Sequence, residues 1–189
     1  MKKNVYAILV MLLTAALPAL FTACDWTDDE DIAYTLEGTW RGDMRIYSDY
    51  RGVRYYATDT EITFLRDPRR YSSGDGYWVD YYSDAPWDYV ANHISWTVNF
   101  GDIDVYFREE RTSITIRNYR LSDNRFVGTL YDGGNRVDFR LYYVSSPNWN
   151  RYDRWGYDGW YDRYYYSRPT RSTEPAATGS GKPVRGIGE

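Results

Sequence analysis

Between Tyr34 and Val144 apolar and polar side chains take turns along the chain, and this two-residue period restricts the fold more than any other feature. Successive side chains on a strand point to opposite faces, so such a stretch makes half-buried strands rather than helices. The first strand carries Leu36, Gly38, Trp40, Gly42, Met44 and Ile46 on one parity and Arg41, Asp43 and Arg45 on the other. A second runs near Thr58 to Leu65 with Ile62 and Phe64 inward, and a third, Gly76 to Tyr82, offers Tyr77, Val79 and Tyr81. The fourth alternates through Ile94, Trp96, Val98 and Phe100, the fifth through Ile103, Val105 and Phe107, and the sixth turns Ile114 and Ile116 inward. The seventh shows Phe126, Gly128 and Leu130. The eighth shows Val137, Phe139, Leu141 and Tyr143, with charged Arg136, Asp138 and Arg140 outward. The 22 Tyr and 8 Trp, against 3 Met, favour strands in the same way.

The connections are short. Gly101-Asp102, Glu109-Glu110-Arg111 and Ser122-Asp123-Asn124 read as turns, and Asp132-Gly133-Gly134-Asn135 is a strong hairpin signal because consecutive glycines accept the positive φ such turns require. Two connections are longer: Arg66–Asp75, and Ser83–Asn92 with its Asp84-Ala85-Pro86-Trp87. The fold class predicted is all-β, an antiparallel up-and-down meander of about eight strands. Closing into a barrel hides the edges of such a sheet best, with an open sheet curled over itself as the alternative.

The N-terminal segment has a different layout. Lys2 and Lys3 are followed by an almost wholly apolar run, Val5 to Phe21, and then by the small residues Thr22-Ala23. That is the arrangement of a secretory signal peptide. The run nearly reaches the ~20 residues of a membrane-spanning helix, but Pro18 interrupts it and it stops at Cys24, the single cysteine of the sequence. Phe21-Thr22-Ala23-Cys24 resembles the lipobox of bacterial lipoproteins, with Phe where Leu is commoner. The resemblance implies cleavage after residue 23 and diacylation of Cys24 as a lipid anchor. An ordinary signal peptide with an incidental cysteine is the other reading. With each buried lipid CH₂ worth ~0.8 kcal/mol, two or three chains would hold the protein firmly to a membrane.

Residues 24–33 then read as an acidic tether, rich in Asp and Glu and with little to bury. Asp28, Asp29, Glu30 and Asp31 are either a solvated linker or, by resemblance to lipoproteins of the Bacteroides group, a signal for export to the cell surface. Removing residues 1–23 takes Lys2 and Lys3 and no acidic residue, leaving 21 basic against 27 acidic side chains and a net charge of −6. Phosphate neutralisation requires a basic footprint, so this balance argues against nucleic acid as the main partner. With Cys24 acylated the fold has no disulfide and no thiolate chemistry. The expected localisation is the outer membrane, lipid-anchored, facing the surface or the periplasm.

Leu36-Glu37-Gly38-Thr39-Trp40 resembles the Gly-x-Trp opening of the lipocalin and fatty-acid-binding barrels. The residues from Trp96 to Leu130, with Ile103-x-Val105-x-Phe107 and Leu121-Ser122-x-Asn124-x-Phe126-x-Gly128, look like the second half of lipocalin-like lipoproteins of the Bacteroides group. The resemblance spans about residues 36–144 and implies a barrel in residues 34–146 that takes a small apolar ligand or a partner. It also implies that Trp40 closes one barrel end beneath an arginine of the last strand, a part Arg140 or Arg136 would play.

Catalytic residues are not evident. His93 is the single histidine, and a lone His at a strand start is usually structural or exposed. Glu109 and Glu110 are adjacent and point to opposite faces, which places them poorly as a glycosidase pair. Ser73-Gly74-Asp75-Gly76 lacks the ligand spacing of a calcium loop, and no phosphate-cradling glycine motif opens a helix. The residues therefore call for no cofactor, no metal and no enzyme activity. The inward aromatics, Trp40, Phe64, Tyr77, Trp96, Phe100, Phe107, Phe126 and Phe139, are bulky enough to fill an eight-stranded barrel.

Residues 147–189 form a Tyr/Trp-rich and then Gly/Pro/Ser-rich tail that reads as disordered. Trp149, Trp155, Trp160 and Tyr161 either belong to a loose tail or stack on sugar rings or aromatic partners, with glycan or an envelope protein favoured as the contact. Two functional expectations follow. One is a lipid-anchored envelope lipoprotein with a lipocalin-like binding domain; the other is a structural envelope component with a filled barrel and an adhesive aromatic tail.

Overall fold

The computed structural model describes residues 26–147 and 183–188; of residues 26–28 it describes the backbone alone. Cys24 and the aromatics Trp149, Trp155, Trp160 and Tyr161 lie outside these residues. Helix α1 spans Trp26–Leu36, and ten strands follow: β1 Gly38–Asp43, β2 Ile46–Tyr50, β3 Val53–Tyr56, β4 Asp59–Asp67, β5 Arg70–Tyr81, β6 Tyr89–Asn99, β7 Asp102–Phe107, β8 Thr112–Ser122, β9 Arg125–Asp132 and β10 Asn135–Ser145. A last strand, β11, spans Val184–Ile187. Eight of these form a closed antiparallel barrel in the order β1-β10-β9-β8-β7-β6-β5-β4, and β11-β2-β3 form a separate small sheet. The expected meander and its closure are both present.

β1 makes the closure, pairing Trp40 with Ile62 of β4 on one side and with Tyr143 of β10 on the other. The interior is occupied by side chains. Trp40, Phe64, Trp78, Trp96, Phe107, Phe126 and Phe139 belong to one buried cluster with inward aliphatics of β4 and β6 to β10. Their rings meet edge to face, as in Phe64–Trp96 at 5.5 Å, Trp78–Phe107 at 5.1 Å and Phe126–Phe139 at 4.9 Å. Two glycines make room for this filling. A Cβ on Gly74 or Gly76 would lie 1.9 Å from the carbonyl oxygen of Leu65 or Thr63, so β5 can approach β4 this closely only without side chains there.

Two inward assignments need correction. β5 turns Trp78 and Asp80 inward, while Tyr77 and Val79 lie on the opposite face beside His93 and Ala91 of β6. That outer face is buried as well, so both parities of β5 look apolar in the sequence and the period gives no direction. Phe100 is 90 % exposed: with φ of 50° it forms, together with Gly101 at 79°, the two-residue turn between β6 and β7. The stretch Arg66–Asp75 is not a long loop either, because β4 and β5 continue through it to a turn at Pro68-Arg69 in which the Asp67 carboxylate accepts from the Arg69 N–H at 2.8 Å.

The acidic stretch expected to be a tether is helical from Trp26. Ala33 and Leu36 are fully buried against the barrel end, and the Asp29 carboxylate accepts from the Phe100 and Gly101 N–H groups at 3.0 and 2.8 Å. Acidic residues in the first turn suit the helix dipole, but so few apolar positions left no readable helical period. α1 caps the end of the barrel where Trp40 sits. The Trp40 indole donates to the Leu36 carbonyl at 2.8 Å and meets Phe126 and Tyr143 edge to face. Arg140 and Arg136 do not cover it; both are exposed on the outward parity of β10, and Tyr143 takes the place expected for them.

Replacing a buried Trp by Ala costs ~3–5 kcal/mol, so Trp40→Ala is expected to lower the thermal midpoint by about 10 °C. Circular dichroism melts check this, and a shift of a degree or two would contradict the placement of Trp40 in the core.

Candidate functional site

At the other end the barrel is covered by the small sheet. The β2–β3 hairpin turns at Arg51-Gly52, both with positive φ (51° and 79°), which matches the strand twist of a two-residue hairpin. It folds over the opening and is clasped by the β5–β6 loop, where Trp87 meets Tyr50, Tyr55 and Tyr82 edge to face. Beneath this clasp the Tyr82 hydroxyl and the Ser48 hydroxyl share a buried hydrogen bond of 2.7 Å, and burial pushes the Tyr82 phenol well above its ordinary range.

β11 adds a third strand by pairing with β2, from Val184 opposite Asp49 to Ile187 opposite Ile46. The Ile187 side chain enters the core cluster, and Gly186 lies under the Tyr47 ring, where a Cβ would come within 2.3 Å of Tyr47 Cζ. Part of the stretch expected to be a disordered tail is therefore built into the fold. Alternation along β11 sends Arg185 into the barrel mouth, where its side chain is 6 % exposed.

The guanidinium sits in a slot of two carboxylates and two rings. Arg185 Nη2 is 2.7 Å from Asp80 Oδ2 and 3.5 Å from Glu110 Oε1. Its Cζ lies 4.2 Å from the centroid of Phe107 and 5.5 Å from that of Trp78. The barrel itself fixes both carboxylates: Asp80 Oδ1 accepts from the Thr60 hydroxyl and the Trp78 indole at 2.8 Å each, and the Asn92 amide donates to Glu110 Oε1 at 2.8 Å. Asp80 is wholly buried. Burial raises its carboxyl above the ordinary range and the Arg185 charge pulls it back down.

Glu109 and Glu110 lie in the turn between β7 and β8 and have different partners. Glu109 accepts from the His93 backbone N–H at 2.7 Å and meets His93 Nδ1 at 2.5 Å, on the outer face of β6. His93 is fully buried in this pairing. Among the described residues no group of three or more His, Cys, Asp or Glu converges as a metal site.

Beside Arg185 lies a cavity of about 230 Å³. Its floor is apolar, from Trp78, Phe107 and Ile114; Glu109, Glu110 and Asp132 stand on its rim, and β11 supplies one wall. This is smaller than the ~300–1,000 Å³ of a drug-sized pocket and admits a small molecule or the head of a larger one. Of the residues singled out from sequence, Asp29 and Trp40 are at the opposite end and Arg140 faces solvent, while Glu110, weighed there only as half of a glycosidase pair, lies in the mouth. Asp80 and Arg185 were missed. An Asp on an aromatic strand and an Arg in a Pro/Gly-rich segment give no individual signal.

Arg185→Met leaves Asp80 buried without its cation, which costs ~3–5 kcal/mol for a broken buried pair. The Asp80 carboxyl, already raised by burial, then rises further above its unfolded value of ~3.9. A carboxyl raised in the folded state contributes stability below the unfolded value and loses it as pH climbs through the folded one. The deficit of Arg185→Met is therefore expected to be larger at pH 8 than at pH 4, measured by urea unfolding of both chains. An equal deficit at the two pH values would contradict the pairing.

The lipocalin-like domain family model matches residues 36–128 of this chain. The match runs from the last residue of α1 into β9, and the barrel it implies is completed by β10. No curated protein and no solved structure matches. The resemblance read from Gly38-x-Trp40 thus holds at the level of family pattern and fold, and the folded part is a lipocalin-like barrel.

Proposed function

We propose that this chain is a lipid-anchored envelope lipoprotein whose lipocalin-like barrel is a binding module that engages its ligand at the mouth. The observation that carries the binding site is the contrast between interior and mouth. The interior is filled by Trp and Phe side chains, whereas the mouth holds an apolar-floored cavity rimmed by carboxylates. A lipocalin-like barrel is typically a binding rather than a catalytic fold, and the cavity favours recognition over transport of an enclosed apolar cargo. A fluorescent fatty acid such as cis-parinaric acid tests this. No saturable one-to-one uptake is expected, and uptake with quenching of the interior tryptophans would overturn the mouth as the site. The filled interior also favours a second reading, a structural envelope component in which the barrel is a scaffold and Trp149, Trp155, Trp160 and Tyr161 make the contact.

The anchor rests on the lipobox at Cys24 and the signal-peptide layout before it. Cys24→Ala is expected to move the protein from the detergent phase to the aqueous phase in partitioning of cell extracts. Acyl-labelled protein in that variant would contradict the assignment. The acidic cluster is proposed as the surface-export signal. Asp29 is held on the β6–β7 turn, so the informative variant replaces Asp28, Glu30 and Asp31 by Ala and keeps Asp29. Loss of protease accessibility on whole cells at unchanged total protein is expected; unchanged accessibility would make the cluster a linker.

A further inference from the structure

We infer that the barrel mouth is a binding site for a guanidinium group on a short apolar stem, and that Arg185 occupies it as a ligand supplied in cis. The inference deepens the mouth reading above and rests on it. Three observations carry it. First, the anionic slot is built by the barrel and not by the strand that fills it. Thr60 and Trp78 bind one oxygen of Asp80, so the other is turned to the mouth, and Asn92 sets Glu110. Withdrawal of β11 would leave both carboxylates in place.

Second, the slot has the shape of a guanidinium. Two carboxylates lie at its edge and the Phe107 ring lies under its face at 4.2 Å. A planar fork of donors with a weakly hydrated face fits this better than a compact ammonium does. Leaving Asp80 wholly buried without a cation is strongly unfavourable, so departure of one cation favours entry of another.

Third, β11 is joined to the rest of the fold as a ligand strand would be. It has four residues, and among the described residues its sheet pairing is with β2 alone. The adjoining cavity, with β11 as one wall, gives an incoming ligand space beside Arg185. The ligand is a small alkylguanidine or an arginine on an extended segment of a partner, and these share one chemistry at the slot.

The test uses the full chain with Arg185→Ala, which vacates the space of an ethylguanidinium ion. Ethylguanidinium at millimolar concentration is expected to raise the thermal midpoint of this variant saturably, by about 3–6 °C at tenfold excess over Kd. The rise should be weaker with ethylammonium, absent with sodium chloride, and shifted at least tenfold in Kd by a second substitution, Asp80→Asn. A synthetic Pro-Val-Arg-Gly-Ile-Gly-Glu peptide distinguishes the sources. Binding of the ion alone indicates a small ligand, and binding of the peptide alone indicates an arginine-bearing strand paired to β2. Neither binding overturns the inference, as does an equal effect in the double variant. Should Arg185→Ala fail to fold, Arg185→Thr, a better strand former that still leaves the guanidinium slot empty, is used in its place, and a saturable rise or its absence decides in the same way. Fatty-acid uptake with guanidinium rescue intact would sink the filled-barrel reading alone; loss of rescue with no uptake would sink this inference alone.

Discussion

The pairing of β1 with both β4 and β10 is the constraint on which the rest depends. Once that strand closes the ring, the alternating side chains of eight strands share one interior, and the size of that interior is fixed by strand number. Here it is spent on large rings: Trp40 at one end, Phe64 and Trp96 across the middle, Trp78 and Phe107 at the other. Gly74 and Gly76 lack side chains where β5 presses on β4. Polar chemistry is left to the two ends and to the outer faces.

The two ends are closed by different means. At the Trp40 end the cover is a helix adjacent in sequence, fixed by two backbone hydrogen bonds to Asp29 and by burial of Ala33 and Leu36. At the mouth the cover is a hairpin inserted between barrel strands, with a strand from the far end of the chain laid against it. The first closure is apolar and local. The second adds a buried ion pair, Arg185 with Asp80, whose desolvation is costly unless both partners are present. On the proposed reading, this closure is what couples recognition at the mouth to structure.

Most of the barrel was legible in the sequence because its strands have one buried and one solvated face. Ile94-x-Trp96-x-Val98 and Val137-x-Phe139-x-Leu141 state their direction plainly, and Gly133-Gly134 fixes the last hairpin. Legibility failed where that contrast fails. Both faces of β5 are buried, so Tyr77 and Val79 were read as inward in place of Trp78. The β2–β3 hairpin has two short strands with Tyr on both parities and was not distinguished from a connection. α1 buries too few residues to show a helical period. β11 is four residues in a Pro/Gly-rich context, and its Arg185 gains meaning only beside Asp80 and Glu110, which lie about 75–105 positions earlier in the chain. The candidate site was invisible because its residues carry no signal singly and are joined only by topology.

The central claim is that the barrel is a solid body whose mouth opens by departure of β11. Three indole N–H groups report on it directly, since Trp40 donates to Leu36, Trp96 to Asp75 and Trp78 to Asp80. Their hydrogen exchange in the full-length chain, followed by NMR under native conditions, separates local from global opening. The account predicts that Trp40 and Trp96 exchange together at the rate of global unfolding, and that Trp78 exchanges faster, in step with the β11 amides. Exchange of Trp78 and β11 as slow as that of Trp40 would contradict it, because β11 would then be an inseparable part of the barrel.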